Sequence, residues 1–168
     1  LLRTVNRYSN QLALDSEFYE LLVSSHARFV REPLADFGSG PHWLYEVAPF
    51  AVVAHNAEPD PRFVYANVTA QRVFGYSREE LIALPSRLSA KIENREERRC
   101  LLDAVSRNGS YVGYHGSRVK KSGDVSSMED GVIWQLIDEH GYCYGQAAMF
   151  SKWTNVHRSI TPSRQPAT

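Results

Sequence analysis

At 168 residues, with 43% hydrophobic and 23% charged side chains, the chain can bury a core without disulfide or metal staples and has the make-up of a globular protein. Nineteen Lys and Arg side chains balance nineteen Asp and Glu, so no overall field draws in nucleic acid or an anionic membrane surface. No apolar run approaches the roughly 18–20 residues of a membrane span, and Cys100 and Cys143 lack the spacing of a disulfide framework or zinc site.

In chain order, the spacing of Phe18, Leu21, Leu22, Ser25 and Phe29 predicts a helix over 12–31, capped at Asp15 or Ser16 and stopped by Pro33. Gly38-Ser39-Gly40-Pro41 reads as a loop, and a first strand is expected over 50–55. The prolines of Glu58-Pro59-Asp60-Pro61 force a turn, because each fixes φ and lacks an N–H for a ladder. A second strand over 62–65 stops at Asn67, a helix-capping residue. A short helix carrying Val68, Val73 and Phe74 then runs to Gly75, and Ser77 with Glu80 forms the capping box of another.

A longer helix is expected from Asn94, boxed with Glu97, to Asn108-Gly109, with Leu101, Leu102 and Val105 inward and its mixed-charge faces solvated. Strands over 111–120, 125–137 and 142–150 follow, joined by turns at 121–124 and 138–141. Val132, Trp134 and Leu136 share one face of the middle strand by its period of two. The stretch 151–168 is locally basic through Lys152, Arg158 and Arg164, and from 154 onward the polar tail is expected to be disordered. This order implies an α+β fold: a five-stranded antiparallel sheet with short helices on one face and an N-terminal helical extension. The implied divisions are 1–41 (extension and loop), 42–153 (domain) and 154–168 (tail).

The run FVYANVTAQRVFGYSREEL, a strand, an Asn-capped helix, Gly-Tyr and a Ser-capped helix with paired glutamates, resembles the entry half of a PAS domain. Pro61, Phe63, Tyr65, Ala66 and Asn67, followed by Gly123, Ser127, Glu129, Val132 and Trp134, narrow the likeness. With Gly145-Gln146-Ala147-Ala148, Phe150 and Trp153, they resemble the MEKHLA domain, a PAS-like family. That family occurs alone in bacteria and algae and at the C-terminus of plant class III homeodomain–leucine zipper transcription factors. The similarity spans about 17–153 and includes Ser24-Ser25-His26 on the leading helix. It implies a dimerising signal-input module, placed in the cytoplasm or, within a transcription factor, in the nucleus. The chain holds neither a homeodomain nor a heptad zipper, so the resemblance implies no direct DNA binding. The absence of an initiator Met suggests a piece of a longer protein, and the thiols suggest a reducing intracellular compartment.

The PAS likeness raises cofactor chemistries that the residues can be weighed against. Aligned with the LOV photoreceptor segment Gly-x-Asn-Cys-Arg-Phe-Leu-Gln, ALPSRLSA puts Pro85 at the asparagine and Ser86 at the photoreactive cysteine. Only Arg87, at the position that meets the flavin phosphate, is kept. A serine hydroxyl cannot form the thioether adduct, since its alkoxide is far less accessible than a thiolate. No cofactor is therefore expected, with flavin bound without an adduct as the alternative. Haem-binding PAS domains hold iron from the long helix, and 94–108 contains no histidine; His55 and His115 are expected to be hydrogen-bonded or exposed. The six histidines show no HxxxH or HExxH spacing, and GxSxG and phosphate-cradling loops are missing. Ser24, Ser25 and His26 fall on different helical faces, so no enzyme is expected.

A small-molecule pocket between sheet and helices has Arg87, Glu129, Trp134 and Gln146 as candidate lining. A carboxylate in a dry site must be paired or protonated, so Glu129 either pairs with Arg118 on the neighbouring strand or faces a ligand. Gln146 can serve a ligand as donor and acceptor or pair with a helix carbonyl. Trp134 either packs in the core or offers a stacking platform. The candidate interaction face is formed by Tyr142, Tyr144, Gln146, Ala148 and Phe150 in alternation, beside Ile133, Gln135 and Ile137. Phe18 and Leu22 are expected to cover it, in cis or across a dimer. The functional expectation is a non-enzymatic sensory or regulatory module. It would act through homodimeric or related PAS-like contacts, gated by a small apolar ligand, with neither nucleic acid nor membrane as partner.

Overall fold

The computed structural model describes residues 12–36 and 38–156. Its first helix, α1 (Ser16–Val30), starts where expected: Asp15 Oδ1 accepts the Phe18 N–H at 2.7 Å, satisfying one of the donors that a helix start leaves open. A π-helical turn, Trp43–Val47, leads into β1 (Ala51–Asn56) and β2 (Phe63–Ala66). Asn67 caps α2 (Val68–Phe74), and Gly75, at φ 73°, ends it. The Ser77–Glu80 capping box opens α3 (Arg78–Leu81). Then come α4 (Arg95–Asn108), β3 (Ser110–Val119), β4 (Val125–Ile137), β5 (Cys143–Phe150) and β6 (Lys152–Val156). The expected capping box at Asn94 does not form. A 3-10 turn, Ile92–Asn94, feeds straight into α4 and leaves Asn94 at φ −100°, ψ 2°, whereas a capping side chain bonds forward from an extended backbone.

The sheet runs β2-β1-β5-β4-β3, antiparallel throughout, with β6 added beside β4. This sixth strand corrects the expected end of the fold. β4 is 13 residues long; its second half pairs with β5, which leaves the groups of 125–129 open for a further strand. Open ladder groups want partners, and Lys152–Val156 supply them. Thr154, Asn155 and Val156 therefore belong to the sheet, while the rest of the expected tail, with Arg158 and Arg164, lies outside the described residues. Residues 1–11 lie outside them too.

Helices cover both faces. On one, α1 sets Phe18, Leu21 and Leu22 on Val52, Ala54, Trp134, Leu136 and Ala147. On the other, Val73, Phe74 and Leu81 pack on Ala51, Val53, Phe63 and Phe150. Burying a side chain of this size contributes roughly 1.5–3 kcal/mol. Trp134, fully buried, donates from Nε1 to the Leu22 carbonyl at 3.3 Å and meets the His26 ring edge-on at 4.8 Å. Ser25 Oγ donates to the Ile137 carbonyl and accepts the Ile137 N–H, both at 3.1 Å, pinning α1 to the end of β4.

Val132, Trp134 and Leu136 share a face as expected, but the face under α1 is not the one carrying Phe150. Trp134 sits opposite Ala147 in the ladder, and directly opposed residues share a face. Gln146, Ala148 and Phe150 therefore point the other way. Tyr144 alone of the expected set packs in the α1 layer, because Gly145, at φ 139°, breaks the alternation after it. Tyr142 stands exposed. Phe18 and Leu22 thus cover a sheet face in cis, and the five expected residues do not form one surface.

Candidate ligand-binding site

A cavity of ≈ 470 Å³ opens between α4, the β1–β2 loop and the bottom of β5. The fold narrows its floor at Gly145, which pairs with Asn56 so closely that a Cβ would run into the His55 carbonyl; only glycine tolerates both that approach and φ 139°. Two glutamines, opposite each other in the β4–β5 ladder, tie the sheet to α4. Gln135 Nε2 donates to the Ser106 carbonyl at 3.1 Å, and Gln146 Nε2 donates to the Leu102 carbonyl at 2.9 Å and Ser106 Oγ at 3.1 Å. Cys143 Sγ donates to Gln135 Oε1 at 3.4 Å.

His55, at the end of β1, forms the inner wall. Burial pushes its pKa down to about 4, with Arg98 adding to the effect and the hydrogen bond to the Asn56 carbonyl opposing it, so the ring is neutral at neutral pH. Because Nδ1 lies 2.8 Å from that carbonyl, Nδ1 carries the proton and Nε2 is an acceptor. The Asn56 side chain is oriented too, its Oδ1 accepting the Arg62 N–H at 3.0 Å.

Deeper in, a chamber of ≈ 40 Å³ shares His55, Arg98, Leu102 and Gln146 with the main cavity and is otherwise walled by apolar groups such as Phe63, Phe74, Ile133 and Phe150, together with Arg118. Arg98, from α4, donates from Nη2 to Ser86 Oγ at 2.7 Å. Burial, followed by the charge of Arg118, pulls its pKa down to about 10, which leaves it a cation. Arg118, only 8% exposed, lies over the rings of Tyr114 (5.0 Å) and Phe150 (6.0 Å) and donates to the Tyr114 hydroxyl at 2.7 Å.

Of the four residues expected to line a pocket, the structure brings two together. Gln146 lies on the floor and does bond a helix carbonyl, while Arg87 lies at the mouth, its Nε donating to Asp60 Oδ1 at 3.1 Å. Trp134 is on the opposite sheet face beneath α1 and packs in the core. Glu129 is exposed and pairs in the ladder with Lys152, because β6 occupies that end of β4. Its expected partner Arg118 sits opposite Ser126 and turns inward to the chamber. Sequence reasoning missed His55, Arg98 and Arg118 as site residues. The available signal was Arg98, standing on the same helical stripe as Leu102 and Val105.

Other chemistries find little footing. Ser25 and His26, neighbours on α1, are spent on the Ile137 backbone and the Glu32 carbonyl. Among the described residues there is no group of three side chains able to hold a metal, and no helix is long and apolar enough to cross a membrane. Both cysteines are free thiols.

No curated protein matches this chain. Among solved structures, the PAS domain of a Colwellia psychrerythraea protein superposes with a TM-score of 0.55 at 17% identity, over 65% of this chain and 87% of that one. An RNA-binding Light-Oxygen-Voltage receptor gives 0.56 at 17% identity over 74% of this chain, which matches 36% of the receptor's length. A fungal LOV domain photoreceptor gives 0.53 at 17% identity, over 86% and 99%. At such identities the likeness establishes a PAS fold and carries no ligand or activity with it. The family model of the MEKHLA domain matches residues 16–155, taking in α1 as well as the sheet. The chain belongs to the MEKHLA domain family, a PAS-like sensory family.

Proposed function

We propose that this chain is a sensory module that binds a small polar molecule in the cavity between α4 and the sheet and relays its presence by contact with another protein. One observation carries the reading. Among the described residues, five buried side-chain N or O atoms have no hydrogen-bond partner, and four of them belong to residues lining this cavity: His55 Nε2, Asn56 Nδ2, Arg95 Nε and Gln146 Oε1. Buried polar groups are otherwise almost always paired, and each orphan costs about 1–3 kcal/mol. Two donors and two acceptors around one cavity favour an occupant that bonds to them. It also favours a polar ligand over the apolar one that the sequence suggested, since the apolar chamber is only ≈ 40 Å³.

Flavin fits the inner chamber poorly: ≈ 40 Å³ takes a few waters, not a tricyclic ring, and the hydroxyl of Ser86 is already an acceptor for Arg98. The reading is non-enzymatic; among the described residues the adjacent Ser25 and His26 are each bonded to backbone carbonyls. The relay partner we propose is a second copy or a related PAS-like domain. Tyr111 and Val112, exposed on the edge strand β3, are the apolar groups best placed to meet it.

The test is mass spectrometry of small molecules released from the purified chain, paired with thermal denaturation before and after their removal. A stoichiometric compound whose removal lowers the melting temperature supports the reading. A chain that releases nothing, and that no added metabolite stabilises, contradicts it and leaves the four polar atoms to ordered water. For the relay, light scattering is expected to show self-association that Val112→Glu reduces; a monomer at all concentrations counts against the second-copy partner.

A further inference from the structure

The cations around the cavity differ in their partners. At the rim Arg87 pairs with Asp60 at 3.1 Å and Arg99 with Glu96 at 2.6 Å, while the buried Nε of Arg95 has no partner. The two inner ones, Arg98 and Arg118, form no ion pair among the described residues. Arg118 is buried and Arg98 half-buried; a cation drawn out of water without a bonded counter-charge is costly, and the charge of Arg118 acts against that of Arg98. Stacking on Tyr114 and Phe150 accounts for the flat faces of Arg118, and of its edge donors only Nη1 meets protein acceptors.

The hydrogen-bond inventory points the same way. Each guanidinium carries five N–H donors in a planar fork. Among the described residues, only Nη2 of Arg98 and Nη1 of Arg118 meet protein acceptors. A third cavity, ≈ 210 Å³ between α4 and β3, is also walled by both arginines. Arg98 is the one residue common to all three cavities. It stands where they meet, a few side chains from the orphan acceptors His55 Nε2 and Gln146 Oε1.

We propose that the ligand is a small organic anion whose carboxylate or phosphate lies between Arg98 and Arg118 and whose hydroxyl or N–H donors meet His55 Nε2 and Gln146 Oε1. This rests on reading the cavity as a ligand site. Oxyanions suit paired guanidiniums because each fork offers two parallel N–H bonds. The neutral His55 then serves as an acceptor that selects a hydroxylated or amino-bearing anion over a plain one. Burial first and the charge of Arg118 second lower the proton affinity of Arg98, and an anion between the two arginines opposes both.

The experiment titrates the purified chain with glycerate, glycerol 3-phosphate and uncharged inositol, following melting temperature and backbone amide NMR shifts at constant ionic strength. Saturable binding of glycerate or glycerol 3-phosphate is expected, with shifts centred on Arg98 and Gln146, and the tighter of the two tells carboxylate from phosphate. Binding should weaken about tenfold or more in Arg98→Met and in Arg118→Met, each checked for native near-ultraviolet circular dichroism. Arg98→Lys, which keeps the charge but not the fork, should retain part of the affinity. If inositol binds as well as the anions, or both Met variants bind the anions unchanged, the cavity is a ligand site but the anion inference is wrong. If no probe binds saturably, the inference and the reading beneath it both fall.

Discussion

Arg98 Nη2 donates to Ser86 Oγ at 2.7 Å, so the inner cation of α4 is held by the residue that the LOV register places at the photoreactive cysteine. Ser86 is fully buried in the 3-10 turn Ser86–Ser89, and its hydroxyl faces a guanidinium. The fold is PAS-like, and at that position the chain carries a polar anchor rather than a thiol. Restoring the thiol is therefore not expected to restore photochemistry. Ser86→Cys supplied with flavin mononucleotide should show no light-driven bleaching of the flavin's blue absorption band. A reversible bleach would count against the proposal that this region binds a small anion rather than flavin.

Two buried histidines make stability depend on pH. His55 has its pKa depressed to about 4 by burial, and His26, packed against Trp134, is lowered by burial as well. Their ordinary value is 6.5, so both lie lower in the folded chain than in the unfolded one. Above 6.5 neither state takes up the protons and their contribution to stability is whole. As pH falls from 6.5 toward 4 the unfolded chain binds protons that the folded chain refuses, and stability is lost. Melting temperature measured across that window should decline, and the double replacement of His26 and His55 by Gln should flatten the decline. An equal slope in both proteins would contradict it.

Asn67 is a cap with a second duty. Its Oδ1 accepts the N–H of Ala70 at 3.0 Å and of Val52 at 2.9 Å, while Nδ2 donates to the carbonyls of Leu44 at 3.1 Å and Phe50 at 2.9 Å. One fully buried amide thus joins α2, β1 and the π-helical turn. Asn67→Ala removes the cap and strands several buried partners, for an expected loss of about 3 kcal/mol in denaturant unfolding. A loss below about 1 kcal/mol would mean that water replaces it.

The α1 helix is docked in cis, and Ser25 is its polar latch. Ser25→Ala deletes both bonds to Ile137 and should cost about 1–2 kcal/mol. Removing residues 1–31 should expose Trp134, shift tryptophan emission to the red and promote association through the bared sheet face. A well-folded monomer with unshifted emission would show that the sheet does not need the helix.

Local chemistry made most of the fold legible in the sequence. The caps at Asp15, Asn67 and Ser77, the glycine stop at Gly75 and the shared face of Val132, Trp134 and Leu136 all follow from a few neighbouring residues, and all form. β6 was not legible, because its reason is the spare ladder of β4, a strand more than twenty positions earlier in the chain. The same pairing turned Glu129 outward. Parity under α1 failed at one residue, Gly145, whose backbone breaks the alternation on which the face of Tyr144 and Phe150 depended. At the site, Arg87 and Gln146 were within reach of motif reasoning. His55 and Arg118 were not, because isolated strand residues look solvated until β5 and β3 close around them, and Arg98 showed only through the stripe it shares with Leu102 and Val105.

Native mass spectrometry of the purified 168-residue chain tests the central claim most directly. The account predicts a one-to-one complex with a small organic anion in the wild type and the bare chain mass in Arg98→Met. A wild-type spectrum showing only the bare mass with glycerate or glycerol 3-phosphate present, or an adduct that survives Arg98→Met undiminished, would contradict it.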